Sequence, residues 1–323
     1  MTKKNKIKSL LKYVVLAPSG YNTQPWRFKL GDDSLEILPD YSRARLNTDP
    51  DYREFYMSLG AAACNFEIAA KYFGFNFQKT YIVDEKKQRY SIFFKFAGKS
   101  EKQEDGTLLK AISTRHTNRF PYKDEKLSKE FISQIRSLPT PDSVQFHLIT
   151  RPGDITAFAK LINYSYLLWS RQQAMIDELE TWLRDDLEFS PDGLPTGVIN
   201  LYKMAINLKY LRHKDDMEAE INSIKNQNLA KNSPALAVIS TKNDDVQSWF
   251  EAGEFFELLA LTLAASGFST DFFNYPLSLK KTRKDVAKLL ESTHLPQLLF
   301  RLGKPTVIIP KTPRYPLSKL LIS

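Results

Sequence analysis

The sequence predicts an α+β protein made of two α/β lobes related by a pseudo-twofold axis, each a mainly antiparallel sheet with a buried central helix. Three observations carry that expectation. Two helix-length segments, Phe55 to Phe75 and Glu251 to Phe268, follow one plan, with a glycine near the start and a Gly-Phe pair at the end: Gly60 to Gly74 and Gly253 to Gly267. The second holds one charge between residues 255 and 265, which marks a helix enclosed by protein on nearly every side. Short apolar runs bounded by turn residues stand before and after both helices, as strands do.

The elements follow in order along the chain. A helical pattern near the N-terminus is broken by Pro18 and Gly20. Phe28 and Leu35 to Leu38 read as a hairpin around Gly31-Asp32-Asp33. In the first central helix, apolar residues at 55, 59, 62, 66, 69 and 73 form one stripe, and Gly74 supplies the C-terminal cap. Thr80 to Val83 pairs with Tyr90 to Phe96 around a charged turn. In the second half, Gln145 to Thr150 and Ala235 to Thr241 are short apolar strands, and Thr306 to Ile309 reads as a last one. Between the first two, residues 155 to 230 are helical with a break at Ser190-Pro191-Asp192-Gly193-Leu194-Pro195, just after Trp169 and Trp182, a composition that suits a flap. The expected division is 1–110 and 111–323, with a helical lid insertion at about 155–230 and the halves intertwined.

Composition narrows the function classes. A chain of 323 residues with 42% hydrophobic content is globular, and its 12 glycines include no Gly-x-Gly-x-x-Gly or Walker string, so any phosphate has to be held mostly by side chains. The net charge of +9 is spread along the chain and accompanied by no helix-turn-helix, zinc-finger or RNP-like string, which argues against a nucleic-acid partner. Cys64 is the only cysteine, so no internal disulfide or multi-cysteine metal site exists, and the four histidines show no metal-ligand spacing. Without a secretory signal pattern or a membrane-span-length apolar run, a cytoplasmic location with no membrane partner is expected.

Three segments are able to carry chemistry. The first is Ala17 to Phe28, where Ser19, Asn22 and Gln24 offer neutral donors and acceptors beside Trp26; it suits a flat, polar-edged heterocycle and equally an ordinary turn with a core tryptophan. The second is Arg115-His116-Thr117-Asn118-Arg119: on a helix, Arg115 and Arg119 would share a face and close on one phosphate, whereas a solvated basic turn has the same composition. The third is the proline-stiffened tail Lys311-Thr312-Pro313-Arg314.

Together these segments resemble the nitroreductase-like flavoproteins, in particular the single-chain, internally duplicated Acg-type branch. Ser19-x-x-Asn22-x-Gln24-Pro25-Trp26 is similar to the family's flavin-ring turn, and Arg115-His116-Thr117-Asn118-Arg119 matches its phosphate string with Thr for Ser. Further matches are Asp49 to Glu54, Ala252-Gly253 and Leu295 to Gly303. The resemblance implies FMN as cofactor, with Ser19, Asn22 and Gln24 at the flavin or substrate. It makes Arg115, His116 and Thr117 a phosphate site completed by Lys311 and Arg314, and places Arg119 toward the ribityl or pyrimidine edge. The first half lacks the arginine string and the second lacks the Gln-Pro-Trp turn, so one complete FMN site per chain follows, in a pseudo-dimeric monomer that also admits a higher oligomer. The implied activity is hydride transfer from NAD(P)H through flavin N5 to a nitroaromatic or quinone, the flavin itself carrying the chemistry. The alternative is an FMN-sequestering protein whose lid denies access to nicotinamide.

Overall fold

In a computed structural model, which describes residues 2–100, 104–184, 190–195 and 216–322, two sheets of the same strand plan pack against a central pair of helices. The first half begins with α1 (Lys3–Val14), whose i, i+3, i+4, i+7 residues Ile7, Leu10, Leu11 and Val14 are all buried and whose Thr2 hydroxyl caps Asn5 N at 3.2 Å. It continues through β1 (Trp26–Leu30), β2 (Ser34–Pro39), α2 (Arg53–Tyr72), β3 (Phe75–Asp84) and β4 (Arg89–Lys99). The Asp49 carboxylate accepts from Glu54 N at 3.1 Å and Phe55 N at 2.8 Å, which satisfies the first amides of α2.

The second half opens with α3 (Thr107–Thr114), α4 (Lys129–Arg136) and β5 (Val144–Ile149). An insertion follows, made of α5 (Pro152–Ser170), α6 (Gln173–Thr181), β6 (Leu183–Arg184), β7 (Leu194–Pro195) and α7 (Asp216–Lys231). The core plan resumes in β8 (Ala235–Thr241), α8 (Val246–Ala265), β9 (Ser269–Phe272), α9 (Lys280–Leu289) and β10 (Leu295–Gly303), and β11 (Leu321–Ile322) ends the described chain.

The repeated plan extends to register. Strand order is β1-β2-β4-β3 in the first sheet and β5-β8-β10-β9 in the second. Across the first sheet Phe28 pairs Ile37 and Ile37 pairs Ile92; across the second Phe146 pairs Ile239 and Ile239 pairs Leu298. What differs is the connections. A three-residue turn joins β1 to β2 where the 85-residue insertion joins β5 to β8, and a short turn joins β3 to β4 where α9 joins β9 to β10. The tail then returns: β11 pairs in parallel with β1, Phe28 opposite Leu321, so the 111–323 segment supplies a strand to the first sheet.

The glycines of the two central helices explain the axis. A Cβ at Gly60 would run into the Phe250 carbonyl, and a Cβ at Gly253 would run into the Met57 carbonyl. Each glycine thus faces the backbone three residues before the other, the reciprocal contact a twofold axis imposes. The helices meet backbone to backbone there, which no larger residue permits.

One sequence expectation is corrected, and one point left open is decided. Residues 306–309 form no strand, because Pro305 and Pro310 flank them without N–H donors; their place is fixed by Asn118 Nδ2 donating to Val307 O at 2.7 Å, and the last strand of the second sheet is β10. Residues 115–119 are not helical. Arg115 ends α3 with φ −58° and ψ 129°, and Thr117 bridges in parallel to Thr270 beside β9. Arg115 and Arg119 therefore share an extended segment rather than a helix face.

Candidate functional site

Between the halves lies a cavity of about 460 Å³, a volume within the range of small-molecule sites. Ser19, Asn22, Arg115, His116, Thr117, Arg119, Lys311 and Arg314 all border it. The central helices close its base through Met57 and Ala61 of α2 and Gly253 of α8. First-half turn, second-half string and C-terminal tail thus meet at one place.

Gln24 is placed differently. Its side chain is wholly buried, with Nε2 donating to Pro191 O at 2.8 Å and to Asn22 O at 3.2 Å, while Oε1 accepts from Tyr315 N at 2.9 Å. Both ends of the amide are spent on protein, and the residue does not border the cavity. It ties the turn to the lid and to the tail.

The turn itself is held in an uncommon conformation. Tyr21, Asn22 and Gln24 all have left-handed φ, 51°, 56° and 52°, a cost that persists only where surrounding contacts enforce it. Ser19 Oγ accepts from Gln24 N at 2.9 Å and Asn22 Nδ2 donates to Pro313 O at 3.0 Å, leaving Asn22 Oδ1 buried without a partner. The need for glycine at position 20 is close approach: a Cβ there would meet the Arg45 guanidinium. Arg45 stacks on the Tyr21 ring at 4.6 Å and pairs with Glu54 at 2.6 Å, and Glu54 in turn accepts from Asn274 Nδ2 at 2.9 Å. Burial raises the Tyr21 phenol to about 12 against the pull of Arg45, so it stays a neutral hydroxyl on the cavity wall.

One part of the cavity wall is cationic. Arg115 is 8% exposed, and its Nε and Nη1 lack hydrogen-bond partners. Arg314 hooks the tail onto the end of α1, donating to Thr312 Oγ1 at 2.7 Å and to Leu16 O and Ala17 O at 3.4 Å, yet its Nε is also unpartnered. Desolvation, then the neighbouring Arg115 charge, lowers Arg314 to about 9. Lys311 donates to Ser113 O, and His116 Nδ1 donates to Thr114 O at 2.9 Å while Nε2 stays buried and unpartnered. Orphaned buried N–H groups on two guanidiniums are costly unless an anion completes them. Arg119 stands apart, 3.9 Å from Asp271, whose carboxylate is anchored by the buried Arg301 at 2.9 Å.

The insertion closes over this arrangement. Trp169, Leu179 and Leu194 border the cavity, and they pack with Tyr166, Ile176 and Ile309 in a small apolar cluster that Tyr21 joins. Residues 190–195, the break in the expected flap, dock on the tail and the turn: Tyr315 OH donates to Asp192 Oδ2 at 2.6 Å, beside the Gln24 bond to Pro191 O. Glu178 of α6 adds bonds from Thr48 N at 2.8 Å and Thr48 Oγ1 at 2.6 Å. The remainder of the expected lid, 185–189 and 196–215, lies outside the described residues.

Sequence reasoning missed Glu257, the single charge on the enclosed stretch of α8. It is 0% exposed and 3.5 Å from Arg115 Nε. The signal was available: a lone carboxylate on an otherwise apolar helix requires a cation. The Asp49–Glu54 and Leu295–Gly303 matches are joined by Arg53, which donates to Gln297 O at 3.1 Å and Leu277 O at 3.2 Å and so binds the halves together. Among the described residues no group of three or more His, Cys, Asp or Glu side chains is arranged to hold a metal, and no helix is long and apolar enough to cross a membrane.

No family model matches the chain. Two curated relatives from Mycobacterium tuberculosis align over nearly its full length: the putative NAD(P)H nitroreductase Rv3131, 25% identical over 98% of this chain and 90% of its own, and the putative NAD(P)H nitroreductase acg, 26% identical over 97% and 94%. Among solved structures, the FMN- and NADPH-dependent nitroreductase NfnB from Sphigopyxis sp. strain HMH aligns with TM-score 0.44 at 14% identity, over 67% of this chain and 98% of that one. An iodotyrosine deiodinase bound to FMN and 3-iodo-L-tyrosine aligns with TM-score 0.41 at 16% identity, over 65% and 95%.

Proposed function

We infer that this chain, a member of the nitroreductase-like family, is an FMN-dependent oxidoreductase with one flavin site per chain, formed where its two halves meet. The observation that carries the reading is the convergence on one cavity of a polar turn from the first half and of two buried, incompletely bonded arginines from the second. The residues suit the group: Arg115 and Arg314, with Lys311 and the Thr117 hydroxyl, would hold the phosphate, and Ser19 and Asn22 would meet polar edges of the ring or of a substrate.

Bound FMN would supply two-electron redox chemistry between NAD(P)H and a small electron-poor acceptor of nitroaromatic or quinone type. The chain's part is orientation and electrostatics. Arg119, held toward the cavity by Asp271 and Arg301, is the cation available to offset negative charge that develops on reduction. The lid cluster of Trp169, Leu179 and Leu194 excludes water from the open side. No separate acid or base is required for hydride transfer, in keeping with flavin-borne catalysis.

A second reading, an FMN-sequestering protein, draws on one observation: the lid is fastened to the turn through Pro191, to the tail through Asp192 and to Thr48 through Glu178. Stopped-flow reduction separates the two. The oxidoreductase reading expects the yellow protein to bleach within seconds under anaerobic NADH or NADPH. A yellow protein that neither nicotinamide bleaches is a flavin store, and a colourless protein that FMN does not turn yellow is neither.

A further inference from the structure

We propose that Glu257 is the positioning residue of the anion site, holding Arg115 and Arg314 toward the cavity and taking up a proton when a phosphate monoester binds between them. The inference rests on the flavin reading above and gives it a residue and a linkage. Glu257 does not border the cavity; it stands behind the two arginines that do, on the helix that forms the cavity base.

The geometry has three parts. The carboxylate is completely buried, its Oε1 is 3.5 Å from Arg115 Nε, and neither of its oxygens accepts a hydrogen bond from an arginine, the Asn65 amide being the neutral donor beside it. The charged groups that face it are Arg115 at the end of α3 and Arg314 on the tail, while α2 contributes the neutral Asn65 amide and the Cys64 thiol, which burial keeps protonated. Two guanidiniums and one carboxylate leave an uncompensated positive charge beside the cavity, to which Lys311 adds. A carboxylate that only balanced the arginines would form direct bonds to them; this one stands off, leaving Arg115 Nε and Nη1 and Arg314 Nε unpartnered.

A phosphate dianion between those groups changes the balance. It matches two guanidiniums best when the carboxylate behind them is neutral, because an anion there repels the ligand and competes for the same N–H groups. Burial already pushes Glu257 up to about 7, against the pull of Arg115 and Arg314, so the proton costs little near neutrality. The ligand's negative charge raises it further. Binding therefore consumes a proton above pH 7, and affinity declines as pH rises through that range. Ionisation of the phosphate, complete above about pH 7, cannot produce the decline.

The test is FMN titration of the apo-protein by flavin fluorescence quenching at pH 7, 8 and 9, with riboflavin as the phosphate-free control, for wild type and Glu257→Gln. The amide keeps the shape and mimics the neutral acid. Wild type should weaken about tenfold for FMN between pH 7 and 9, and E257Q should match wild type at pH 7 and fall clearly less, only as far as Arg314, lowered to about 9, loses charge; riboflavin should give parallel curves in both proteins. An equal pH slope in both proteins, or no slope in either, overturns the proposal. Calorimetry of wild type in two buffers of different ionisation heat keeps it testable if E257Q does not fold: net proton uptake with FMN at pH 8 supports it and none refutes it. If neither flavin binds at any pH, the flavin reading fails, and the same calorimetry with inorganic phosphate decides: uptake of a proton retains Glu257's role at an anion site, whereas no phosphate binding ends it.

Discussion

The cavity and the place its pseudo-twofold mate would occupy are built from the same two helices and filled in opposite ways. Residues 60 and 253 are equivalent, and so are the segments after Gly74 and Gly267, so Met57 and Ala61 of the cavity correspond to Phe250 and Glu254, and Phe272 corresponds to Lys79. On the cavity side Met57 and Ala61 leave space. On the other, Glu254 pairs with Lys79 at 2.6 Å and accepts from Tyr81 at 2.9 Å, Lys79 pairs with Glu67 at 2.9 Å, and the Phe250 ring stacks on Tyr81 at 5.8 Å. Duplication within one chain frees each copy from serving both sites. One place retained ligand-facing groups, and the other became a half-buried ion-pair network that joins the halves.

The comparison breaks most completely at the axis. Gly60→Ala and Gly253→Ala each push a methyl into a facing carbonyl, and each should destabilise by about 3 kcal/mol or more and by similar amounts, since the contacts are reciprocal. Urea unfolding of both variants measures it, and a marked inequality would break the symmetry argument.

At the site itself, Arg115→Ala and Arg314→Ala should each weaken FMN retention by about 1.5–3 kcal/mol, and together by less than the sum. FMN content after gel filtration reads this directly. The matching change in the filled place, Glu254→Ala, should leave FMN content unaltered while costing about 1–3 kcal/mol of stability, because it strips Lys79 and Tyr81 of a buried partner.

The same carboxylates give stability a pH signature. Desolvation raises Glu254 and Glu257 to about 7 each, above their unfolded values near 4.5, so the folded chain binds more protons than the unfolded one between those limits. Their contribution is fully present below about pH 4.5 and is lost as pH rises through 7. Across that window, wild-type stability should fall relative to a Glu254→Gln, Glu257→Gln double variant, as measured by denaturant midpoints at matched pH.

The smallest effect concerns the lid. Tyr315→Phe removes one hydrogen bond to Asp192, worth about 1 kcal/mol, and should speed nicotinamide-driven bleaching by about fivefold if opening limits the rate. An unchanged rate would mean that the lid does not gate the flavin.

The duplication was legible because helices announce themselves by period: the matched glycines and the nearly uncharged second helix identified α2 and α8, and the first hairpin was framed by its turn residues. The site was legible as three separate strings. Their convergence depends on contacts between residues some three hundred positions apart, such as Asn22 with Pro313, which no local pattern encodes. Gln24 had the right chemistry for a ligand, but whether an amide meets a ring or a neighbouring carbonyl is decided by the lid folding back upon it. The conformation of 115–119 stayed open because the bridge to Thr270, a long-range contact, decides it. The strand expected at 306–309 was an apolar run between two prolines, whose missing N–H donors keep it out of a sheet ladder.

The central claim is one flavin site per chain, made jointly by the two halves. Titration of the apo-protein with FMN, with the mass of the protein in solution recorded on the same sample by light scattering, tests it most directly. The account predicts an endpoint of one FMN per chain that is lost when Arg115 and Arg314 are both replaced by alanine. An endpoint of two per chain, or one that survives the double replacement, would contradict it.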